Sequence, residues 1–276
     1  METRECRLRY CVQSRGDELS NKLTAQFHEL AGAQGLIEDR VSPDMVVSIG
    51  GDGTLLQAFH TFNHAIDHIC FVGIHTGHLG FYADWKSDEL HELVTIMAAQ
   101  RLEQQVHIVR YPLVKVEVSL EDQLLTFLAL NEVTIKGLDS TLVAKATIND
   151  QLFEMFRGDG ICVSTPSGST AYNKSLGGAV IHPTLESIQI AEIASINNRV
   201  YRTLGSSIIL PNHHYFDIIP NANQRLLLSI DHEGGEWHNI TRIRCRVAEQ
   251  KVAFARYRPF PFWKRVREAF IHNDEE

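Results

Sequence analysis

Gly50-Gly51-Asp52-Gly53-Thr54 follows the apolar run Met45-Val46-Val47-Ser48-Ile49 and precedes Leu55-Leu56-Gln57-Ala58-Phe59. This order reads as strand, tight glycine turn and helix. The glycines are expected to supply positive φ and to let a ligand approach the main chain. Amides at the start of the helix would face an anion such as phosphate. Asp52 is the one carboxylate among them. It suits a hydroxyl or a proton better than it suits phosphate. The stretch therefore points to a nucleotide or phosphoryl-transfer site with a carboxylate at its centre, although a glycine-rich αβ turn without a ligand fits the same five residues.

The flanking chain supports an α/β reading. Residues 7–12 are expected to form a first strand. Asp17 is expected to cap a helix carrying Leu19, Leu23, Phe27 and Leu30 on one face. Ile69-Cys70-Phe71-Val72-Gly73-Ile74 is apolar enough for a strand buried on both faces. A helix from Ser87 should turn Leu90, Leu93, Val94 and Met97 inward. Strands alternating with helices over residues 1–105 predict a doubly wound parallel sheet, with ligands at the carboxyl ends of its strands. Asp52 and the His75–Phe81 stretch lie at such ends.

Near Tyr111-Pro112 the pattern changes to period two, in 113–118, 124–136, 142–149, 160–164, 226–231 and 241–255. A β-rich, sandwich-like domain follows, with helices expected from Ser169 and around Glu186–Ser195. Phe262, Val266 and Phe270, at i, i+4 and i+8, predict a C-terminal helix returning to the first domain. The expected boundaries are 1–107, 108–258 and 259–276.

Composition narrows the class. The chain has 276 residues, 44% hydrophobic and 22% charged, as in soluble globular proteins. A net charge of −8 gives no bulk attraction to nucleic acid or anionic membrane. Five scattered cysteines, Cys6, Cys11, Cys70, Cys162 and Cys245, form no CxxC pair and suggest a reducing compartment. No signal region or membrane-spanning run is visible, so a cytoplasmic location is expected. His75 and His78 flank a glycine turn without further ligands at metal spacing, so packing or phosphate contact is expected of them. Neither GxxxxGK[ST] nor GxGxxG occurs.

A second informative stretch runs from Arg157-Gly158-Asp159-Gly160 through Ser164-Thr165-Pro166-Ser167-Gly168-Ser169-Thr170-Ala171-Tyr172-Asn173-Lys174-Ser175 to Ala179. Hydroxyls, glycines and an aspartate crowd between a strand and a helix start. They could recognise a base, a ribose or a phosphate, or simply cap a structural loop. Tyr172 can stack on a base, donate to phosphate or join the core. Asn131-Glu132, at a strand end, could hold a ribose diol and an adenine edge. His232, in Asp231-His232-Glu233, could face a ligand or solvent.

Together these motifs resemble the NAD kinase family. Gly50–Thr54 matches its GGDGT, Asn131-Glu132 its NE dipeptide, and Gly158–Tyr172 its glycine-aspartate stretch ending in STPTGSTAY, with Ser167 in place of the commonest Thr. Ala194–Arg199 and the Phe-Pro-Phe-Trp tail resemble the low-G+C Gram-positive branch. GGDGT is shared with diacylglycerol-type lipid kinases, and loosely with phosphofructokinases; the longer stretch is not. The resemblance implies phosphoryl transfer from ATP, or polyphosphate in some relatives, to the 2′-hydroxyl of the adenosine ribose of NAD, with a divalent cation such as Mg2+. It implies Asp52 as general base beside Gly53, and Asn131 and Glu132 on the adenosine ribose and adenine edge. Asp159 would take the nicotinamide side, and Arg157 would order the loop or face phosphate. Ser167, Thr170, Ala171, Tyr172, Asn173, Lys174 and Ser175 would line the dinucleotide pocket, with Ala194 and His232 as further contacts. It also implies a homotetramer built as a dimer of dimers, and Asp52 on one cleft with Asn131, Asp159 and Tyr172.

Overall fold

The computed structural model describes residues 7–77, 80–99, 107–199 and 202–271; Cys6 and His78 lie outside these. Residues up to Arg110 and from Val252 onward form one compact unit, and Tyr111–Lys251 form another.

The first unit begins with β1 (Arg9–Ser14), α1 (Glu18–Ala33), β2 (Ile37–Glu38) and β3 (Met45–Gly50). It continues with α2 (Asp52–Phe62), β4 (Cys70–His75), β5 (Trp85–Lys86) and α3 (Leu90–Ala99). The strands β2, β1, β3 and β4 pair in parallel in that order. Every residue of β3 is buried, as expected for a strand covered on both faces. Met45, Val47 and Ile49 share a core with Leu23, Phe27 and Ala31 of α1 and with Leu90, Leu93, Val94 and Met97 of α3. Each such side chain contributes about 1.5–3 kcal/mol on burial.

Asp17 caps α1, accepting the Ser20 amide at 2.8 Å. The buried stripe of α1 differs from the expected one. Ser20, Leu23, Phe27 and Ala31 face inward, while Leu19 is 46% exposed and Leu30 half-buried. The small Ser20 and Ala31 let the helix sit close to the sheet, a demand that a count of large apolar residues misses.

The second unit comprises β6 (His107–Ser119), β7 (Leu124–Ala129), β8 (Glu132–Gly137), β9 (Leu142–Ile148), β10 (Gln151–Gly158) and β11 (Gly160–Ser164). After the one-turn α4 (Tyr172–Ser175) come β12 (Ser187–Ile193), β13 (Ile208–Pro211), β14 (Tyr215–Pro220), β15 (Leu226–Ile230), β16 (Glu233–Trp237) and β17 (Arg242–Arg256). One antiparallel sheet runs β13-β12-β11-β8-β15-β16; in the other, β10, β9, β14 and β17 are neighbours, and β6 joins β17 to β7. Val116, Val133, Ala144, Val163, Ile190, Ile218, Leu228 and Ile243 from the two sheets share one core, which makes this a sandwich.

Two expected helices are corrected here. Residues 187–193 form β12, an interior strand between β11 and β13, because the β-branched Ile188, Ile190 and Ile193 fit a buried pleated surface. The helix from Ser169 shrinks to a 3₁₀ turn over Ser167–Thr170 and the single turn of α4.

The last residues of β17 change unit. Ala253 and Phe254 pair in parallel with Cys70 and Phe71 of β4. This places residues 252–258 with the first unit, where the period-two pattern alone had kept them in the second. Finally, α5 (Phe262–Phe270) packs in the first unit, with the Phe81 ring stacked 5.8 Å from Phe270 and tilted 6.2 Å from Phe262. Phe262 and Arg265 are its buried residues; Val266 is half-buried and Phe270 is 39% exposed.

Candidate functional site

Asp52 is the first residue of α2, directly after the end of β3. The preceding Gly51, with φ −99°, has no side chain to cap the helix. No glycine of Gly50–Gly53 takes a positive φ, contrary to expectation. Their use is space. A Cβ on Gly50 would meet Thr54 Oγ1 at 2.1 Å, and Gly51 and Gly53 face open room. That room is a cavity of about 380 Å³ lined by Arg15, Gly51, Gly53, Thr54 and Gln57. With the start of α2 and Arg15, whose guanidinium also pairs with Asp17 at 3.4 Å, in its lining, it suits an anionic group.

The Asp52 carboxylate is held from the side. Its Oδ2 accepts the Phe81 amide at 2.9 Å and its Oδ1 the Tyr82 amide at 3.1 Å. Gly80 makes this possible, since a Cβ there would lie 2.2 Å from Asp52 Oδ1. Desolvation pushes the Asp52 pKa above the ordinary aspartate value, against the opposing pull of the two amides, Arg265 and His75. His75 ends β4 opposite Gly50, and its Nδ1 meets the Gly77 carbonyl at 2.8 Å.

In the second unit, Asn131 and Glu132 sit where the chain passes from β7 to β8. Asp231 grips this connection. Its Oδ1 accepts the amides of Asn131 at 2.6 Å and Glu132 at 3.1 Å, and its Oδ2 accepts that of Leu130 at 2.9 Å. Asp231 opens the two-residue turn between β15 and β16 with φ 52°, a left-handed conformation that aspartate tolerates. Sequence reasoning missed this residue. The polar turn was visible, but nothing in it announced a partner so far away in the chain.

Glu132 pairs in register with Ser164 at the end of β11. Burial, the nearby Asp231 charge and an opposing hydrogen bond from the Tyr172 amide leave its pKa raised to about 8. It is therefore mostly neutral at pH 7 and able to donate. Glu132 Oε2, Ser164 Oγ and Asn173 Oδ1 are buried without a hydrogen-bond partner among the described residues. Such groups are costly unless a ligand or water completes them.

The hydroxyl-rich segment serves two ends. Thr165 and Ser167 turn inward, their hydroxyls donating to the Leu130 carbonyl at 2.6 and 3.2 Å. A Cβ on Gly168 would strike the Asn131 carbonyl oxygen at 2.1 Å, so the loop packs directly on the Asn131-Glu132 backbone. Ser167 is thus buried as a brace for that backbone. Thr170 donates to the Ser167 carbonyl at 3.1 Å, and the Ala171 amide to the Gly168 carbonyl at 2.9 Å. Tyr172 is half-buried, with the Lys136 ammonium 3.3 Å from its hydroxyl and 5.0 Å from its ring centre. Lys174 and Ser175 are exposed, as is Gly53.

Arg157 is half-buried on β10 and donates from Nε to Thr141 Oγ1 at 3.3 Å, while its carbonyl receives the Ile196 amide. Asp159 is exposed between β10 and β11. Ala194 is exposed with φ 46°, and its carbonyl oxygen lies 2.9 Å from where a Gly158 Cβ would be. His232 is exposed beside Asp231. Among the described residues, no three His, Cys, Asp or Glu side chains converge as a metal site. Cys11, Cys70, Cys162 and Cys245 are free thiols.

This pairing of a parallel α/β unit bearing a carboxylate in a glycine turn with a β-sandwich bearing buried orphan acceptors matches a known family in both halves. Residues 10–102 match the ATP-NAD kinase N-terminal domain and residues 130–256 the ATP-NAD kinase C-terminal domain. The chain belongs to the ATP-NAD kinase family. It is 52% identical over 266 residues to NAD kinase 1 of Halalkalibacterium halodurans, covering 96% of this chain and 99% of the relative. It is 50% identical over 272 residues to NAD kinase of Staphylococcus aureus, covering 98% and 100%. Both relatives come from low-G+C Gram-positive bacteria, the branch suggested by the tail and by Ala194–Arg199. Two solved structures share the fold: yeast NADH kinase complexed with NADH, at TM-score 0.79 and 16% identity over 98% of this chain and 89% of that one, and an Archaeoglobus fulgidus NAD kinase in complex with ATP, at 0.71 and 20% over 90% and 94%.

Proposed function

We propose that this chain is an NAD kinase, transferring the terminal phosphoryl group of ATP to the 2′-hydroxyl of the adenosine ribose of NAD. The 2′-oxygen forms the new bond to phosphorus, the bond to the leaving nucleoside diphosphate breaks, and the hydroxyl proton passes to Asp52. The observation that carries this reading is the Asp52 carboxylate, aimed by two backbone amides at the head of α2 beside an anion-sized cavity, in a chain about half identical to NAD kinases over its length. Phosphoryl transfer depends mainly on positioning and charge neutralisation. A base whose proton affinity is raised by burial suits the remaining task.

Asn131 and Glu132 hold the adenosine ribose and adenine edge. Their support is the backbone clamp of Asp231 and the unpartnered Glu132 Oε2 and Asn173 Oδ1, which a ligand bearing hydroxyl and amino groups would satisfy. Asp159 takes the nicotinamide side. Thr170, Ala171, Tyr172, Asn173, Lys174 and Ser175 line the dinucleotide pocket, with Ala194 and His232 at its edge. Arg157 orders the loop through Thr141 and Ile196.

The described side chains do not make a metal site by themselves. A divalent cation such as Mg2+ would be brought with the phosphates of ATP and would supply charge neutralisation there. Inorganic polyphosphate is a second candidate donor. Among the described residues no helix is long and apolar enough to cross a membrane; the proposed site of action is the cytoplasm. We also propose assembly into a homotetramer. Leu152, Phe153 and Met155, exposed on β10 at the end of its sheet, are the apolar edge that assembly would cover.

Coupled detection of NADP from NAD, with ATP and then polyphosphate as donor, tests the activity. NADP formation with either donor is the expected result; NAD binding without any NADP formation would overturn it.

A further inference from the structure

The turn that holds Asp52 is itself held from the end of the chain. Arg265, in the middle of α5, donates from Nη1 to the carbonyls of Gly80 at 2.7 Å and Ala83 at 2.5 Å, and from Nη2 to Asp84 Oδ1 at 2.7 Å. Arg256 bonds the other oxygen of Asp84 and reaches the Tyr82 carbonyl at 3.4 Å. Phe260 lies between the two guanidinium groups, 4.1 Å from Arg256 and 4.4 Å from Arg265. Asp84, Arg256 and Arg265 are 7%, 4% and 7% exposed. Residues 80 to 84 are thus clamped by their carbonyls from one side, while the amides of Phe81 and Tyr82 point at Asp52.

Two features show that this clamp reaches beyond packing. The geometry is tight at both ends, because Gly80 touches Asp52 so closely that a side chain there would displace the carboxylate, and the Gly80 carbonyl is one of the two that Arg265 grips. The charges are coupled as well. Two buried guanidinium groups bond the carboxylate of Asp84, and Arg265 acts electrostatically on Asp52, lowering its proton affinity.

We propose that Arg265 is a positioning residue for phosphoryl transfer, fixing through the 80–84 turn the orientation of the Asp52 carboxylate; this rests on the reading of Asp52 as the base. The groups facing Asp52 are the amides of 81 and 82, Arg265 from α5 and His75 from β4. With the Arg265 charge removed, the proton affinity of Asp52 rises, because Arg265 pulls it downward in the intact protein. The acidic limb of the pH–rate profile then moves to higher pH.

The test compares the wild type, Asp52→Asn, Arg265→Gln, Arg265→Lys, Gly80→Ala and the double variant Gly80→Ala/Arg265→Gln, in NADP formation and thermal unfolding. Arg265→Gln should lower kcat about 10- to 100-fold, as a misplaced reactive group does. Its KM for NAD and for ATP should stay within about twofold, and its acidic limb should shift upward. Arg265→Lys, which keeps the charge, should keep the limb in place and recover part of kcat. Gly80→Ala displaces Asp52 directly, so adding Arg265→Gln to it should cost much less than the product of the single losses. The proposal is overturned if Arg265→Gln keeps wild-type kcat. It is overturned equally if kcat falls only in step with the folded fraction while the limb stays put. Should Arg265→Gln not fold, Arg265→Lys decides: a lowered kcat at unchanged unfolding temperature supports the role, and an unchanged kcat overturns it. A wild type that makes no NADP, or an Asp52→Asn variant as active as wild type, instead refutes the functional reading itself.

Discussion

Asp52 and Asp231 each draw backbone amides onto a carboxylate, two from the 81–82 turn in one case and three from the β7–β8 connection in the other. The bonds are similar in length, but the beneficiary differs. At Asp52 the clamped turn orients the carboxylate, which is half-buried with Arg265 nearby. At Asp231 the carboxylate orients the backbone, and Asn131 and Glu132 are the groups made available. The Asp231 charge also helps push Glu132 toward the neutral form. In the proposed function, one motif thus serves as a mount for the base in the first unit and as a mount for the proposed ligand-binding neighbours in the second.

The contrast breaks most sharply at Asp52. Asp52→Asn should bind NAD as the wild type does, measured by calorimetry, yet lose about 10²–10⁴-fold in kcat. A comparable loss from Asp231→Asn would show that the two carboxylates do not divide their roles in this way. Next comes Gly80→Ala. Its methyl would lie 2.2 Å from Asp52 Oδ1, and the carboxylate end can swing aside, so the fold should survive while kcat falls about 10²-fold. Asp231→Ala should act on stability and binding instead. Three amides lose their acceptor and alanine is strained at φ 52°, so unfolding in denaturant should be easier by roughly 2–4 kcal/mol, with KM for NAD raised about tenfold.

The smallest effect concerns Glu132. In the folded chain its pKa is about 8, above the ordinary glutamate value of 4.5. Between those values the unfolded chain has lost the proton that the folded one keeps, so stability falls as pH rises through that window and levels off above it. Glu132→Gln removes the penalty. Thermal unfolding from pH 5 to pH 9 should drop less steeply in the variant, by an amount on the order of 1–4 kcal/mol at the alkaline end. Parallel curves would mean that Glu132 ionises normally and that Asp231 has no electrostatic hold on it.

Much of this molecule was legible in its sequence. The apolar run before Gly50 could only be a buried strand, and the four inward residues of α3 followed from their spacing. Residues 186–192 misled because Glu-Ser-Ile-Gln-Ile-Ala-Glu carries good helix formers, and their neighbours β11 and β13 decide the matter. The glycines before and after Asp52 were read as turn formers, whereas open space and close contacts explain them.

Sequence alone determined the family, the alternation of strand and helix in the first unit, the change to period two in the second, and Asp52 as the acid at the glycine turn. The family follows from the resemblance of its motifs; the rest follow from local rules, in which neighbours along the chain dictate backbone shape and burial. Tertiary structure alone decided what holds Asp52 in place: the amides of Phe81 and Tyr82, the missing side chain of Gly80, and Arg265 behind them. It also decided that Asp231 shapes the Asn131-Glu132 turn. Hydrogen bonds to backbone groups leave no signature of residue type at the backbone end, so partners this far apart in the chain become visible only when it folds.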